Sequence, residues 1–295
     1  MTTNIINGKE IAAQMRQKIA LDVEEIKKTL RVTPCLAVIL VGNDPASEVY
    51  VSNKEKAAHG VGMNSIQFKM AADISQEELI AKITELNSDK KVHGILVQLP
   101  LPKQIDAKKV IHAINPNKDV DGFHVINVGK LSVGEITGAQ KAMIPCTPLG
   151  CLHLLKSVKG EDLAGLKTLV IGSSNIVGRP LARLLMLENC TVTIANRSTK
   201  DLKAECLQAD VIFSAAGSHG LIKGDMVKKG AVIIDVGINR MNLADGTTKL
   251  VGDVDFEDVK KVASAVTPVP GGVGPMTIAY LLKNTLECCL KSVQL

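Results

Sequence analysis

Stretches of strand length that are mainly apolar on successive residues, rather than on alternate ones, recur along this 295-residue chain, at 35–41, 94–99, 167–171, 211–215 and 231–236. A strand apolar on both faces must be covered on both faces. In sequence this arises when parallel strands are joined by helical crossovers. The segments between the runs supply those helices. Residues 9–30 carry Ile11, Met15, Ile19, Val23, Ile26 and Leu30 on one helical stripe. Pro45 opens a helix to about residue 60, and Ser75 with Glu78 forms a capping-box pattern for a helix to about 86. A short strand at 65–70 and a helix at 106–113 complete a β-α-β-α-β-α series.

A polar stretch of weak periodicity, 114–145, separates this series from a second one. Stretches of that kind are functional or interdomain more often than idle. A helix from Thr147-Pro148 to about 158 follows. The alternation then resumes with a strand at 167–171, a helix at 178–188 and strands at 191–195, 211–215, 231–236 and near 263–266. An apolar helix at 275–290 is expected to return to the first domain. The chain thus reads as α/β with two domains. The first is an N-terminal α/β/α catalytic domain, 1–146 plus 274–295, and the second a Rossmann-type dinucleotide-binding domain, 147–273.

Composition narrows the partners. There are two Tyr, four Phe and no Trp, too few aromatics for base stacking on a single strand of nucleic acid. A net charge of +5, from 35 basic and 30 acidic residues without a basic run, suits a small anionic substrate better than a nucleic acid. Seven cysteines without a C-x-x-C pair argue against a structural metal or disulfide framework. No signal pattern opens the sequence, and no apolar run approaches the roughly 20 residues that span a membrane. The expected location is the cytoplasm, with no membrane and no nucleic-acid partner.

Val170-Ile171-Gly172-Ser173-Ser174-Asn175-Ile176-Val177-Gly178-Arg179-Pro180 reads as strand, tight turn and helix start, the geometry that receives phosphate on free N–H groups. Its glycines are not spaced G-x-G-x-x-G, so an ordinary strand-to-helix turn is an equal reading. Gly172, Ser173, Ser174, Ile176, Val177 and Gly178 are the candidate cofactor residues here, with Ile238 beyond a later strand. Arg197 follows the second strand of this domain with no acidic residue before Asp201. An arginine at that strand end favours a 2′-phosphate, hence NADP over NAD.

Tyr50 and Lys54, four residues apart, share a helix face, and a partly buried lysine beside a phenol can exchange protons near neutrality. A half-buried tyrosine and a solvated lysine would give the same spacing. Gln98 ends an apolar strand before Leu99-Pro100, at the strand end where ligands gather in parallel sheets, or it caps that strand. In Asp119-Val120-Asp121-Gly122 the carboxylates form a solvated turn or grip a ligand N–H; no further acid or histidine accompanies them to make a metal site. The stiff loop 268–275, with Pro270, Gly271 and Gly272, lets backbone approach a flat ligand.

Taken together these stretches resemble the bifunctional methylenetetrahydrofolate dehydrogenase/methenyltetrahydrofolate cyclohydrolase family of the bacterial FolD type. The likeness runs over nearly the whole chain. It is carried by Glu48-Val49-Tyr50-Val51-Ser52-Asn53-Lys54, Gly94-Ile95-Leu96-Val97-Gln98-Leu99-Pro100-Leu101-Pro102, Asp119-Val120-Asp121-Gly122, Pro145-Cys146-Thr147-Pro148, the Gly172 loop, Asp235-Val236-Gly237-Ile238-Asn239 and residues 268–277. The resemblance implies oxidation of 5,10-methylenetetrahydrofolate by NADP+, then hydrolysis of the methenyl product to 10-formyltetrahydrofolate, with folate in a cleft between domains.

By that resemblance Lys54 transfers the proton of the hydrolytic step and Tyr50 orients or screens it. Gln98 holds Lys54 and substrate, and Asp121 grips the pterin. Leu99, Pro100, Pro270, Gly271 and Gly272 join the substrate set, and a homodimer is implied. Two positions depart from the family's pattern. Ser173 stands where many relatives have arginine, and Asn196-Arg197-Ser198-Thr199 replaces a His-Ser-(Arg/Lys)-Thr sequence. The alternatives are a monofunctional NAD(P)-dependent dehydrogenase acting on folate or a small carbonyl compound, and a non-catalytic dinucleotide-sensing module.

Overall fold

A computed structural model describes residues 3–242 and 247–293. In chain order the elements are β1 (Asn4–Ile5), α1 (Gly8–Thr29), β2 (Cys35–Val41), α2 (Pro45–Gly60), β3 (Asn64–Met70), α3 (Gln76–Ser88), β4 (Gly94–Val97), α4 (Ala107–Ala113), α5 (Val125–Val133) and α6 (Cys146–Lys159). Then follow β5 (Lys167–Ile171), α7 (Gly178–Leu187), β6 (Thr191–Ala195), α8 (Leu202–Gln208), β7 (Val211–Ser214), β8 (Val232–Asp235), β9 (Asn239–Asn242), β10 (Thr248–Val251), α9 (Phe256–Val259), β11 (Ala265–Val266) and α10 (Val273–Val293).

The chain divides into two compact units, one of residues 13–146 and 278–295, the other of residues 1–12 and 147–277. This division departs from the expected 1–146 plus 274–295 at residues 274–277 and, more largely, at residues 1–12. The reason is the edge strand β1, which lies parallel to β11, with Ile6 N–H donating to the Val266 carbonyl at 2.9 Å.

In the unit of residues 13–146 and 278–295, a parallel sheet runs β3-β2-β4. All seven residues of β2 are buried, as an apolar run in the middle of a two-faced sheet requires. Ala37, Ile39 and Val41 point to one face, against Leu79, Ile83 and Leu86 of α3 and Val110 of α4. A separate core joins Ile19, Val23 and Ile26 of α1 to Ala58 of α2 and to Leu282 and Leu286 of α10. The α3 capping box is formed: Ser75 Oγ accepts from Glu78 N–H, and the Glu78 carboxylate accepts from Ser75 N–H.

The other unit is a six-stranded parallel sheet ordered β1-β11-β8-β7-β5-β6, and β9 and β10 form a separate antiparallel hairpin. From β5 the chain moves outward to β6, then crosses back to β7 on the other side of β5. That reversal makes the carboxyl ends of β5 and β7 the switch point of the sheet, where a parallel sheet opens a ligand crevice.

Three elements depart from the expectations. Helix α5 stands inside the weakly periodic 114–145 stretch, capped at its start by His124, whose Nδ1 accepts from Ile126 N–H. The hairpin β9–β10 has no apolar alternation to announce it, since β9 reads Asn239-Arg240-Met241-Asn242 and β10 reads Thr248-Lys249-Leu250-Val251. Strand β4 ends at Val97, which leaves Gln98 outside the strand proper.

Candidate functional site

Helix α2 begins at a proline whose missing N–H costs the first turn nothing, and Asp44 caps it by accepting from Ser47 N–H and Oγ, both at 2.8 Å. Its buried positions are Ser47, Val51 and Ala58. Lys54 falls on that same stripe, three residues after Val51 and four before Ala58, so its stem follows the buried face. Tyr50 lies one turn earlier and is half-buried.

At the end of β4 the Gln98 N–H donates to the Ile39 carbonyl at 2.9 Å, which continues the sheet pairing and fixes the side chain's origin. Lys54 Nζ donates to Gln98 Oε1 at 2.9 Å, and Gln98 Nε2 donates to the Leu99 carbonyl at 2.7 Å. An ammonium can only donate and a carbonyl can only accept, so these two partners set the orientation of the amide. Leu99 is half-buried and Pro100 exposed.

The two aspartates of Asp119-Val120-Asp121-Gly122 separate in role. Asp119 is 1% exposed, and its carboxylate accepts from Gly122 N–H, His124 N–H and Asn127 Nδ2. It is a structural knot that binds the turn to α5. Asp121 is the aspartate that senses Lys54. Burial lifts its carboxyl to about 6, opposed by the Lys54 charge and aided by Asp119. Burial likewise pushes the Lys54 ammonium below the usual lysine range, opposed by Asp121 and Cys146. A proton is therefore held less firmly on Lys54, and more firmly on Asp121, than on the free side chains.

Three residues behind this group stand outside the expected site residues, although Cys146 and Gly122 belong to stretches that carry the family resemblance. Asn284, on α10, donates through Nδ2 to the carbonyls of Val120 at 2.8 Å and Ile144 at 2.9 Å. Cys146 donates to the Val120 carbonyl at 3.4 Å, and burial raises its thiol well above the usual range. Gly122, at φ +71°, runs so close to residues 143–145 that a Cβ would stand 2.5 Å from the Met143 carbonyl oxygen. Asn284 carries no distinct signal in the sequence, since Lys283, Thr285 and Glu287 beside it are polar too. Among the described residues no group of His, Cys, Asp and Glu is placed to hold a metal ion.

The second candidate site belongs to the other unit. A cavity of about 920 Å³ opens at the carboxyl ends of β5, β6 and β7. Gly172 to Ser174, Asn196 to Thr199 and Ala215 to Ser218 line it. Gly172 takes φ +115°, and a Cβ there would meet the Ala215 carbonyl oxygen at 2.4 Å. A Cβ on Gly178 would stand 1.8 Å from the Gly172 carbonyl oxygen, so both glycines are demanded by backbone contact. Val177, at the start of α7, has no side-chain cap.

Arg197 is exposed at the cavity and makes no ion pair among the described residues; Ser173 also lines it. Ile176, Val177 and Gly178 follow the lining loop rather than line the cavity, and Ile238 is exposed three residues beyond the end of β8. Pro270, Gly271 and Gly272 lie in this unit, where Gly271 accepts from Lys9 N–H at 2.9 Å. The structure thus groups Lys54, Gln98 and Asp121 in one unit and Gly172, Ser173, Ser174 and Arg197 in the other.

Comparison with known proteins matches residues 6–121 to the tetrahydrofolate dehydrogenase/cyclohydrolase catalytic domain and residues 145–293 to the NAD(P)-binding domain of the same family. The bifunctional protein FolD of Rhodospirillum rubrum is 54% identical over 98% of this chain and 98% of its own length. The bifunctional FolD methylenetetrahydrofolate dehydrogenase/cyclohydrolase of Campylobacter jejuni superposes with a TM-score of 0.92 at 46% identity, covering 98% of this chain and 99% of its own. The Trypanosoma brucei enzyme, solved with NADP cofactor and inhibitor, superposes at 0.93 and 35% identity, covering 99% of each chain. The chain described here belongs to the tetrahydrofolate dehydrogenase/cyclohydrolase family.

Proposed function

We propose that this protein is a bifunctional one-carbon folate enzyme. It oxidises 5,10-methylenetetrahydrofolate to 5,10-methenyltetrahydrofolate with NADP+ and hydrolyses the product to 10-formyltetrahydrofolate. The observation that carries the reading is the Lys54–Gln98 hydrogen bond beside Asp121, within a chain whose family performs both reactions.

The methenyl carbon is cationic and already electrophilic, so its hydrolysis needs a positioned water and a group to carry the proton. Lys54 fills that role. Its desolvated ammonium releases a proton more readily than a solvated one, and Gln98 keeps Nζ in place between exchanges. Tyr50 screens this amine from its helix neighbour position, and Asp121, as a carboxylate, accepts from the N–H edge of the pterin. Leu99, Pro100 and the backbone of Pro270, Gly271 and Gly272 complete the substrate set.

NADP, when bound, supplies hydride acceptance. The backbone contacts that demand glycine at 172 and 178 fold the turn tightly against the start of α7, where Val177 provides no side-chain cap, an arrangement that suits a pyrophosphate. Ser174, Ile176 and Val177 form that turn. Arg197, with Ser173 opposite in the same cavity, favours a 2′-phosphate over a 2′-hydroxyl. Ile238 contributes an apolar contact for the nicotinamide. The residues 13–146 and 278–295 form the folate domain and the remainder the NADP domain.

The enzyme works in the cytoplasm, which agrees with seven cysteines that are all free thiols, and no helix among the described residues is long and apolar enough to cross a membrane. It acts as a homodimer by likeness to its family. Incubation of the purified protein with methylenetetrahydrofolate and either NADP+ or NAD+ tests the whole reading. Reduced cofactor, with methenyl absorbance that rises and decays, is expected with NADP+. Reduction without decay would leave a monofunctional dehydrogenase, and tight binding without turnover a sensor.

A further inference from the structure

Asp253 is fully buried and belongs to no ion pair among the described residues, yet five donors converge on its carboxylate. Oδ2 accepts from Ala216 N–H at 2.7 Å, Gly217 N–H at 3.1 Å and Ser214 Oγ at 3.2 Å. Oδ1 accepts from Ser218 N–H at 2.8 Å and from Asn239 Nδ2 at 3.0 Å. Three successive backbone N–H groups turned inward form a concavity of the kind that receives an anion. Here the anion is the chain's own.

Residues 215–218 are also the wall that the β7 end contributes to the 920 Å³ cavity, opposite the Gly172 turn. The Ala215 carbonyl is already pinned against Gly172, so a shift of this loop would be felt at the glycine turn. Asp253 therefore reaches the cavity without touching it. It also reaches the start of β9, through Asn239.

The carboxylate is held in turn by close contacts. Asp253 N–H donates to Asp235 Oδ1 at 3.0 Å, and Asp235 N–H donates to Thr267 Oγ1 at 2.8 Å. A Cβ on Gly237 would lie 2.1 Å from Asp253 Oδ1, and one on Gly252 would lie 1.8 Å from Asp235 Oδ2. Each aspartate is thus seated against a glycine beside the other, and no larger residue fits either seat.

We propose that Asp253 is a positioning residue for the dehydrogenase reaction, acting through the 216–218 backbone to hold one wall of the dinucleotide cavity in its binding shape. This rests on the cavity being the NADP site. An oriented wall matters for binding because a loop that must be ordered by its ligand subtracts the ordering cost from affinity. Asparagine at 253 would turn an NH2 toward N–H donors and leave at least one of them unmatched.

The test is direct NADP+ titration by calorimetry of wild type, Asp253→Asn, Asn239→Ala and Ser214→Ala, with amide hydrogen exchange at 216–218 in the absence of nucleotide. Asp253→Asn should weaken NADP+ binding by ~10-fold or more, and each single-donor variant by roughly 2- to 5-fold. Exchange at 216–218 should quicken in the same order. The KM for NADP+ should rise with little change in kcat, and cyclohydrolase turnover of supplied methenyltetrahydrofolate should persist as a report on folding. Wild-type NADP+ affinity and exchange in Asp253→Asn would overturn the proposal. If that variant does not fold, unchanged affinity and exchange in both single-donor variants would overturn it instead. A wild-type protein that fails to bind NADP+ would defeat the reading of the cavity itself.

Discussion

Lys54 is oriented by Gln98, and Gln98 by the carbonyl of its own neighbour Leu99, over distances of 2.9 and 2.7 Å. The amine's position is therefore inherited from the end of β4 rather than from its own long side chain. Lys54→Ala should remove cyclohydrolase activity by at least ~100-fold, as loss of a proton-transfer group does. The protein should still fold, although loss of the buried stem and of the donor to Gln98 should lower the melting temperature by a few degrees. Full methenyl hydrolysis by a folded Lys54→Ala protein would exclude this role.

Asp121 gives the pH dependence. Its carboxyl is lifted to about 6, and the proposed pterin contact needs the carboxylate. The kcat/KM for methylenetetrahydrofolate should fall as pH drops through about 6, with this limb missing in Asp121→Asn. Stability has the opposite sign. A carboxyl whose folded value is raised contributes stability that is present below its unfolded value and lost as pH rises through about 6. Asp121→Asn should therefore gain stability relative to wild type between about pH 4 and 7. Denaturation curves with a constant difference over that window would contradict the assignment.

Arg197 decides the cofactor if the 2′-phosphate lies where its strand end suggests. Arg197→Ala should raise the KM for NADP+ by ~10-fold or more, the effect of a lost charge-assisted hydrogen bond, and leave that for NAD+ within about twofold. Equal effects on both cofactors would assign recognition of the 2′-position elsewhere, with Ser173 the next residue to vary.

Asn284 ties α10 to the two carbonyls that flank the Asp121 turn and Cys146. Asn284→Leu would bury both carbonyls without this donor and should destabilise the protein by about 2–4 kcal/mol in denaturant titration. Asn284→Asp offers acceptors to acceptors and should be worse. Equal stability for Asn284→Leu and wild type would mean that another donor takes over.

Much of this was legible before any coordinates. The apolar β2 run and the Ser75–Glu78 cap are local signals, and local chemistry decided them. Lys54 was legible through Tyr50 four residues away, and more firmly through the family's motif. By spacing alone Asp119 and Asp121 are alike, and only the family resemblance singles out Asp121; what separates them physically is the set of donors folded around Asp119. Asn284 meets Val120 across 164 residues, a pairing with no trace in spacing. The Asp253 knot is invisible for the same reason. An aspartate in a Gly-Asp-Val-Asp turn looks solvated until five donors are found on it.

The pairing of β1 with β11 has a consequence for biosynthesis. Residues 4 and 5 pair with residues 265 and 266, so this edge of the sheet closes only after that distant partner has been made. The sheet of the nucleotide-binding unit is seamed shut by Asn4 and Ile5, and deletion of those positions would unpick the hem on the side away from β5 and β6.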